Sequence, residues 1–442
     1  MRRTKTMQRH RLALAALLAF ALTPAAQAQS LKELYEAARA YDATYLSARA
    51  LAESAQHRVA QSEALARPSA ALTAGATTSA VNPSFGPSGD SNAVQGTLSA
   101  RLPLINQAND ATIAQARRSL DVAQADLDAA EQDLIVRLSQ AYFDVLAAAN
   151  TLATTQAGKI AITEQLASAK RNFEVGTATI TDTREAQARF DLASAQEIAA
   201  DNDLRAKRIA LDQLVGRRDV DPVPPKPPLQ LPALIPADPE AWVGTADTRH
   251  PTIRRARAAL DVALLESNKA RAAEKPTLDA VGSFGATHTR GGVVAFPGSQ
   301  TTATIGVQLN WPLYTGGATG SRIKETLSLE EKSRNDLEAA RRGVAQGTRV
   351  AYFGVQSGMA QVNALEAAES SSKLALEATQ LGYKVGVRVN LDVLNAQTQL
   401  FQTQRDLAKA RYDVLVGGLR LRQASGQLTP GDVEALDRLL GR

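Results

Sequence analysis

Few side chains in this 442-residue chain have the types and spacing that chemistry needs. Of its four histidines, His10 sits among N-terminal arginines, while His57, His250 and His288 lack metal-ligand spacing. Cysteine is absent, which removes thiolate sites and disulfides together. Ser321-x-x-Lys324 and Ser370-x-x-Lys373 have the spacing of a serine nucleophile and its lysine, but that spacing is common by chance on polar helices and no companion motif accompanies either. No catalytic residue, metal site or cofactor is expected. What stands out instead is a pair of matching polar segments. Phe173-Glu174-Val175-Gly176, with Asp182 after it, recurs 210 residues on as Tyr383-Lys384-Val385-Gly386, with Asp392 after it.

The same offset runs along the chain. Ala141, Tyr142, Phe143 and Val145 return as Ala351, Tyr352, Phe353 and Val355, Glu185-Ala186-Gln187 answers Asn395-Ala396-Gln397, and Gly216 answers Gly426. Near the start of each copy the offset is 208, as in Thr44 with Thr252 and Arg49 with Arg257. A drift of one or two residues marks true repeats with small loop insertions, so the chain is one structural plan used twice.

Residues 1–28 carry Arg2, Arg3, Lys5, Arg9 and Arg11, then an apolar run, then Ala26-Gln27-Ala28, the pattern of a secretory signal peptide. That leader holds five of the 50 Lys and Arg residues and none of the 45 acidic ones, so the remainder is formally neutral. The basic balance belongs to the leader, and nucleic acid loses its only compositional support as a partner. Aromatic residues are only 4% and alanine is abundant, which suits long helices packed closely on small side chains better than a bulky globular core.

Each copy reads as a helix, two strands and two long helices. Leu31 to Ala66 is an uninterrupted helical pattern that ends before Pro68. Pro68 to Gly89 and Gly291 to Ser321 then contain no charged residue in a chain that is 21% charged. Here the period becomes two. Val94, Gly96, Leu98, Ala100 and Leu102 alternate with polar neighbours, as do Ala303, Ile305, Val307, Leu309, Trp311 and Leu313, at the length a tilted strand needs to cross a bilayer. Leu72 to Ala80 and Leu278 to Ala286 complete one hairpin per copy. From Gln107 to Phe173 only Gly158 interrupts a helical pattern, and Ala116, Leu120, Ala123, Leu127, Ala130 and Leu134 form a coiled-coil seam. The boundaries expected are a leader at 1–28, a first repeat at 29–218 with its hairpin at about 69–103, and a Pro-rich linker at 219–239. A second repeat follows at 240–426 with its hairpin at about 277–313, then a tail at 427–442.

Four strands cannot close a barrel, because an open edge in lipid leaves backbone groups unsatisfied. Two chains would supply eight strands and three would supply twelve. The order of elements, with Ala141-Tyr142-Phe143-Asp144-Val145, Ala351-Tyr352-Phe353, the two Val-Gly turns and Leu309-Asn310-Trp311-Pro312-Leu313-Tyr314-Thr315-Gly316-Gly317, resembles the TolC family of outer-membrane efflux proteins over essentially the whole mature chain. The resemblance implies an α+β membrane protein built as a homotrimer. Its twelve-stranded β-barrel in the outer membrane of a Gram-negative bacterium would continue into a periplasmic α-helical barrel. The family's role is an exit duct for a tripartite efflux pump or a type I secretion system, with a periplasmic adaptor and an inner-membrane transporter, ABC or proton-driven, as partners, and with no enzymatic activity.

Carried over residue by residue, the resemblance places the gate at Asp182, Tyr383 and Arg388, where a hydroxyl and a guanidinium can bridge to carboxylates and be released again. It places a pore constriction at Asp392 and Asn395. Asp392 matches an inward carboxylate, whereas Asn395 stands where the family has a second one, which halves the charge of a cation-favouring ring. Val175, Gly176, Val385 and Gly386 are the expected adaptor-contacting tips, although Thr177 replaces a leucine common there. The competing reading is a soluble periplasmic coiled-coil adaptor or scaffold. A single-chain porin would need many more strands.

Overall fold

The computed structural model describes residues 29–440 except 83, 87, 227, 228, 230 and 292–297. The leader lies outside the described residues. In chain order the elements are α1 (Leu31–Tyr41), α2 (Ala43–Glu63), β1 (Ser69–Val81), β2 (Gly89–Ile105), α3 (Gln107–Glu174) and α4 (Ile180–Val215). The second copy follows with α5 (Pro239–Arg249), α6 (Pro251–Ala272), β3 (Thr277–Arg290), β4 (Gly298–Asn310), α7 (Ala318–Lys384), α8 (Asn390–Ala424) and α9 (Pro430–Leu439). The chain divides into two compact units, and each draws on both copies.

One unit, residues 47–130 and 243–347, holds all four strands. They form a single antiparallel sheet in the order β1-β2-β3-β4, so the two hairpins join through β2 and β3. The register puts Leu72 beside Leu98, Leu98 beside Phe284 and Phe284 beside Ala303, a continuous apolar stripe across all four strands. Thr73, Thr97, Ser99, Ser283 and Thr304 share the other face by the period of two. A groove of about 360 Å³ lies on that polar side, beside Ser69, Ser99, Arg101 and Ser283. Arg101 is its charged member, paired with Asp279 at 2.6 Å. β4 stops at Asn310, so the strand does not extend to Trp311 and Leu313 as the alternation suggested. Pro312 has no N–H to donate to a ladder, and Trp311, Leu313 and Tyr314 project into an exposed junction. Such a cluster fits the aromatic girdle that flanks membrane strands.

The other unit, residues 29–46, 131–242 and 348–440 of the described chain, is helical. α3 and α7, which run through both units, have 68 and 67 residues, about 100 Å of helix each at 1.5 Å per residue. The helical pattern from Leu31 breaks at Asp42, an outcome the absence of Gly and Pro did not foretell. Asp42 has an extended backbone, its Oδ1 accepts the Tyr45 N–H at 2.8 Å, and its two oxygens take Arg137 at 3.1 Å each. The side chain thereby satisfies an orphan N–H at the start of α2 and permits a new helix direction.

Tyr142 and Tyr352, repeat-equivalent and buried, explain why the Ala-Tyr-Phe motif occurs twice. Tyr142 Oη donates to Val223 O at 2.8 Å and Tyr352 Oη donates to Ala237 O, so the two hydroxyls tie both ends of the Pro-rich connector to the helices. Trp242 Nε1 adds a third tie, to Pro236 O at 2.9 Å. The connector is therefore strapped down, not a free spacer. The last stretch is also structured: α9 buries Val433 and Leu436, Asp437 accepts the Leu31 N–H at 3.1 Å, and Glu434 meets Lys32 at 2.9 Å.

Candidate functional site

The polar segments flagged above are two helix tips within the helical unit. α3 ends at Glu174 and α4 begins at Ile180; α7 ends at Lys384 and α8 begins at Asn390. The reversals are superposable in their hydrogen bonding. Thr177 and Ala178 N–H groups donate to Asn172 O at 2.8 and 3.1 Å, and Val387 and Arg388 N–H groups donate to Gly382 O at 2.9 and 3.1 Å. Gly176 and Gly386 both have φ of 80°, a left-handed conformation that favours glycine at a helix C-terminus. Val175 and Val385 stand beside them, exposed at the tips.

The side chains then diverge. In copy one Thr179 caps α4. Its Oγ1 accepts the Asp182 N–H at 3.3 Å, while Asp182 Oδ2 accepts the Thr179 N–H at 2.9 Å and its hydroxyl at 2.7 Å. This reciprocal box holds Asp182 tightly. Copy two has Val389 at that position and no hydroxyl. Asp392 Oδ2 accepts only the Val389 N–H, at 3.4 Å, and lies 3.7 Å from Arg388 Nη1.

Tyr383 links the copies, since its hydroxyl accepts from Asn172 Nδ2 at 3.0 Å. Arg388 is seated by a missing side chain: a Cβ at Gly382 would stand 2.8 Å from Arg388 Cγ. Together Asn172, Asp182, Tyr383, Arg388 and Asn390 line one cleft of about 430 Å³. Beneath it Leu166, Ala169, Ala186 and Leu394 form a small apolar core. Buried Asn390 accepts from Gln165, which ties α8 to α3. Asn395 lies a turn beyond Asp392 on α8 and accepts from Arg189 Nη2 of α4 at 2.9 Å. So the structure gathers Asp182, Tyr383 and Arg388 at one cleft, sets Asp392 against Arg388, and puts Asn395 against an arginine. Asn172, Gly382 and Arg189 escaped the sequence reading. Asn172 and Gly382 are 210 residues apart, so a position-by-position comparison of the copies carried the signal for both.

A sheet with one apolar and one polar face, together with long helical hairpins that end in polar tips, defines a subunit of an outer-membrane channel. The sequence profile of the outer membrane efflux protein family matches residues 34–217 and 242–427, one copy each, and the chain belongs to that family. It is similar to the outer membrane protein TolC of Vibrio cholerae, 32% identical over 93% of this chain and 94% of that one. It is also 35% identical to the alkaline protease secretion protein AprF of Pseudomonas aeruginosa, over 69% of this chain and 63% of AprF. The crystal structure of the outer membrane protein VceC from Vibrio cholerae superposes with a TM-score of 0.77 at 21% identity, covering 90% of this chain and 96% of that one. The family consists of channel proteins of the outer membrane, which sets aside the soluble adaptor or scaffold.

Proposed function

We propose that three copies of this chain form a gated exit duct for a tripartite efflux pump or type I secretion system. The observation that carries this is the sheet, whose outer strands β1 and β4 have no further strand beside them among the described residues and whose strands of 13 to 17 residues are long enough to cross a bilayer. Three sheets of four strands, joined edge to edge, close a twelve-stranded barrel wide enough to keep a lumen. The apolar stripe then faces lipid and the polar groove faces the lumen. Solute is handed over by an inner-membrane transporter through a periplasmic adaptor that engages Val175, Gly176, Val385 and Gly386. The duct performs no catalysis, and the transporter supplies the energy.

The periplasmic end closes at the tips, where Asp182, Tyr383 and Arg388 surround one cleft and Asp392 and Asn395 line the constriction beyond. The Arg388–Asp392 pair is exposed and weak, which suits a latch that an adaptor must open. Membrane fractionation followed by reconstitution tests the reading. A detergent-extracted trimer from the outer membrane that conducts ions in planar bilayers is expected; a soluble periplasmic monomer would overturn it.

A further inference from the structure

Arg189 belongs to copy one, yet its guanidinium is held on copy two. Its Nη2 donates to Asn395 Oδ1 at 2.9 Å, and Asn395, exposed, is three residues after Asp392 and so on the same face of α8. A guanidinium therefore sits at the level where the constriction was expected to carry a second acidic group. Glu185, exposed on α4, is the repeat equivalent of Asn395 and stands four residues before Arg189, the spacing at which a Glu and an Arg attract along a helix. At the mouth, Asp392 has Arg388 at 3.7 Å. Asp182 is turned onto the N-terminus of α4, where Thr179 and the helix dipole take up its charge. Asp392 and Glu185 each have an arginine four residues away along their own segment: Arg388 before Asp392, and Arg189 after Glu185.

We propose that Arg189 is a selectivity-determining residue of the duct: with Arg388 it offsets the carboxylates of Asp392 and Glu185, making the constriction charge-balanced and open to anionic and zwitterionic solutes. The inference rests on the duct reading above. Asn395 has a specific part in it. Its amide oxygen accepts a hydrogen bond and positions the guanidinium without cancelling its charge, whereas an aspartate there would do both.

Reversal potentials in a KCl gradient across planar bilayers test this. A unit charge about 7 Å from a permeating ion in water changes its Boltzmann weight roughly threefold. Wild type is expected to pass K⁺ and Cl⁻ with little preference, R189Q to raise the K⁺/Cl⁻ permeability ratio at least threefold, and R189K, which keeps the charge, to stay near wild type. N395D, which adds a carboxylate on the other side of the same contact, should move the ratio the same way as R189Q. A conducting R189Q channel with an unchanged ratio, or a wild-type channel already strongly selective for K⁺, would overturn the assignment of Arg189 and leave the duct standing. No conductance from wild-type trimers would instead sink the duct reading itself.

Discussion

Removing the latch of copy two, by replacing Tyr383 with Phe and Arg388 with Ser, should open the periplasmic end. Phenylalanine takes away the hydroxyl that accepts from Asn172 at 3.0 Å, a part-buried neutral hydrogen bond worth about 0.5 to 1.5 kcal/mol net. Serine takes away the guanidinium 3.7 Å from Asp392, an exposed pair worth about 0 to 1 kcal/mol. Together that is about 0.5 to 2.5 kcal/mol per subunit, and about 1.5 to 7.5 kcal/mol if three subunits open as one. At about 1.4 kcal/mol per factor of ten, the opening equilibrium moves by roughly one to five orders of magnitude. Single-channel recording of the double variant should therefore show higher conductance or long open dwells where wild type shows brief ones. Thr179→Ala is the comparison, since it breaks the capping box of copy one and costs about 1 kcal/mol of helix stability while leaving the Asn172–Tyr383 and Arg388–Asp392 contacts in place, so it separates lost helix stability from loss of those two contacts. A double variant with wild-type conductance and dwell times, in channels that insert normally, would refute the latch.

Three further outcomes follow from contacts elsewhere. Asp42→Ala removes a helix cap and both hydrogen bonds to Arg137, and should destabilise the detergent-solubilised protein by about 2 to 3 kcal/mol in denaturant melts; a loss under about 0.5 kcal/mol would contradict the role given to it. Burial alone would raise the Asp42 pKa, but Arg137 and the Tyr45 N–H hold it below the usual aspartate value, so its contribution is present above the ordinary carboxylate range and disappears only in stronger acid. His250 is also held low, in its case by burial, which disfavours the charged imidazolium, while Nδ1 accepts the Thr252 N–H at 3.1 Å. Folded protein resists its protonation, so stability is full above about pH 6.5 and falls as pH drops below that; His250→Asn keeps an acceptor and should flatten the thermal midpoint between pH 8 and 5, and an equally steep slope would exclude His250 as its source. Val389→Thr restores a hydroxyl at the cap of α8 and should draw Asp392 off Arg388, lengthening open dwells in single-channel records; unchanged dwells would show that Arg388 does not depend on that carboxylate.

Period and composition made most of the architecture readable before any coordinates. A long repeat shows itself as identities at a fixed offset, and long helices and membrane strands each impose a period over many residues, so α3, α7 and the four strands announced themselves. What escaped was decided by single side chains. Asp42 ends one helix and starts another through hydrogen bonds that no periodicity encodes. Pro312 stops β4 although Trp311 and Leu313 continue its alternation. The connector looked like a spacer because prolines dominate it, and the hydroxyls that strap it down lie 81 and 115 residues away in the chain. At the tips, family likeness pointed to Tyr383, Arg388 and Asp392 but not to their partners. Asn172 reaches Tyr383 and Arg189 reaches Asn395 from the other copy, pairings fixed by how the helices pack.

The two tips also differ in a way that supports the proposed latch in copy two and a rigid cap in copy one. Their backbones bond identically, so the difference lies in the side chains: Asn172 against Gly382 and Phe173 against Tyr383 near the end of the first helix, and Ala178 against Arg388 and Thr179 against Val389 just before the second. In copy one the threonine hydroxyl donates to Asp182 and closes a local box, which stabilises α4 and leaves that carboxylate with nothing to exchange. In copy two the valine cannot donate, the N–H contact relaxes to 3.4 Å, and the carboxylate is left for a long, mobile guanidinium. Losing a cap costs about 1 kcal/mol, close to what an exposed ion pair can return. Copy two therefore exchanges a fixed local bond for a releasable one of similar strength, and in the gate proposed above that near-equality would let an adaptor tip the balance with a small binding energy.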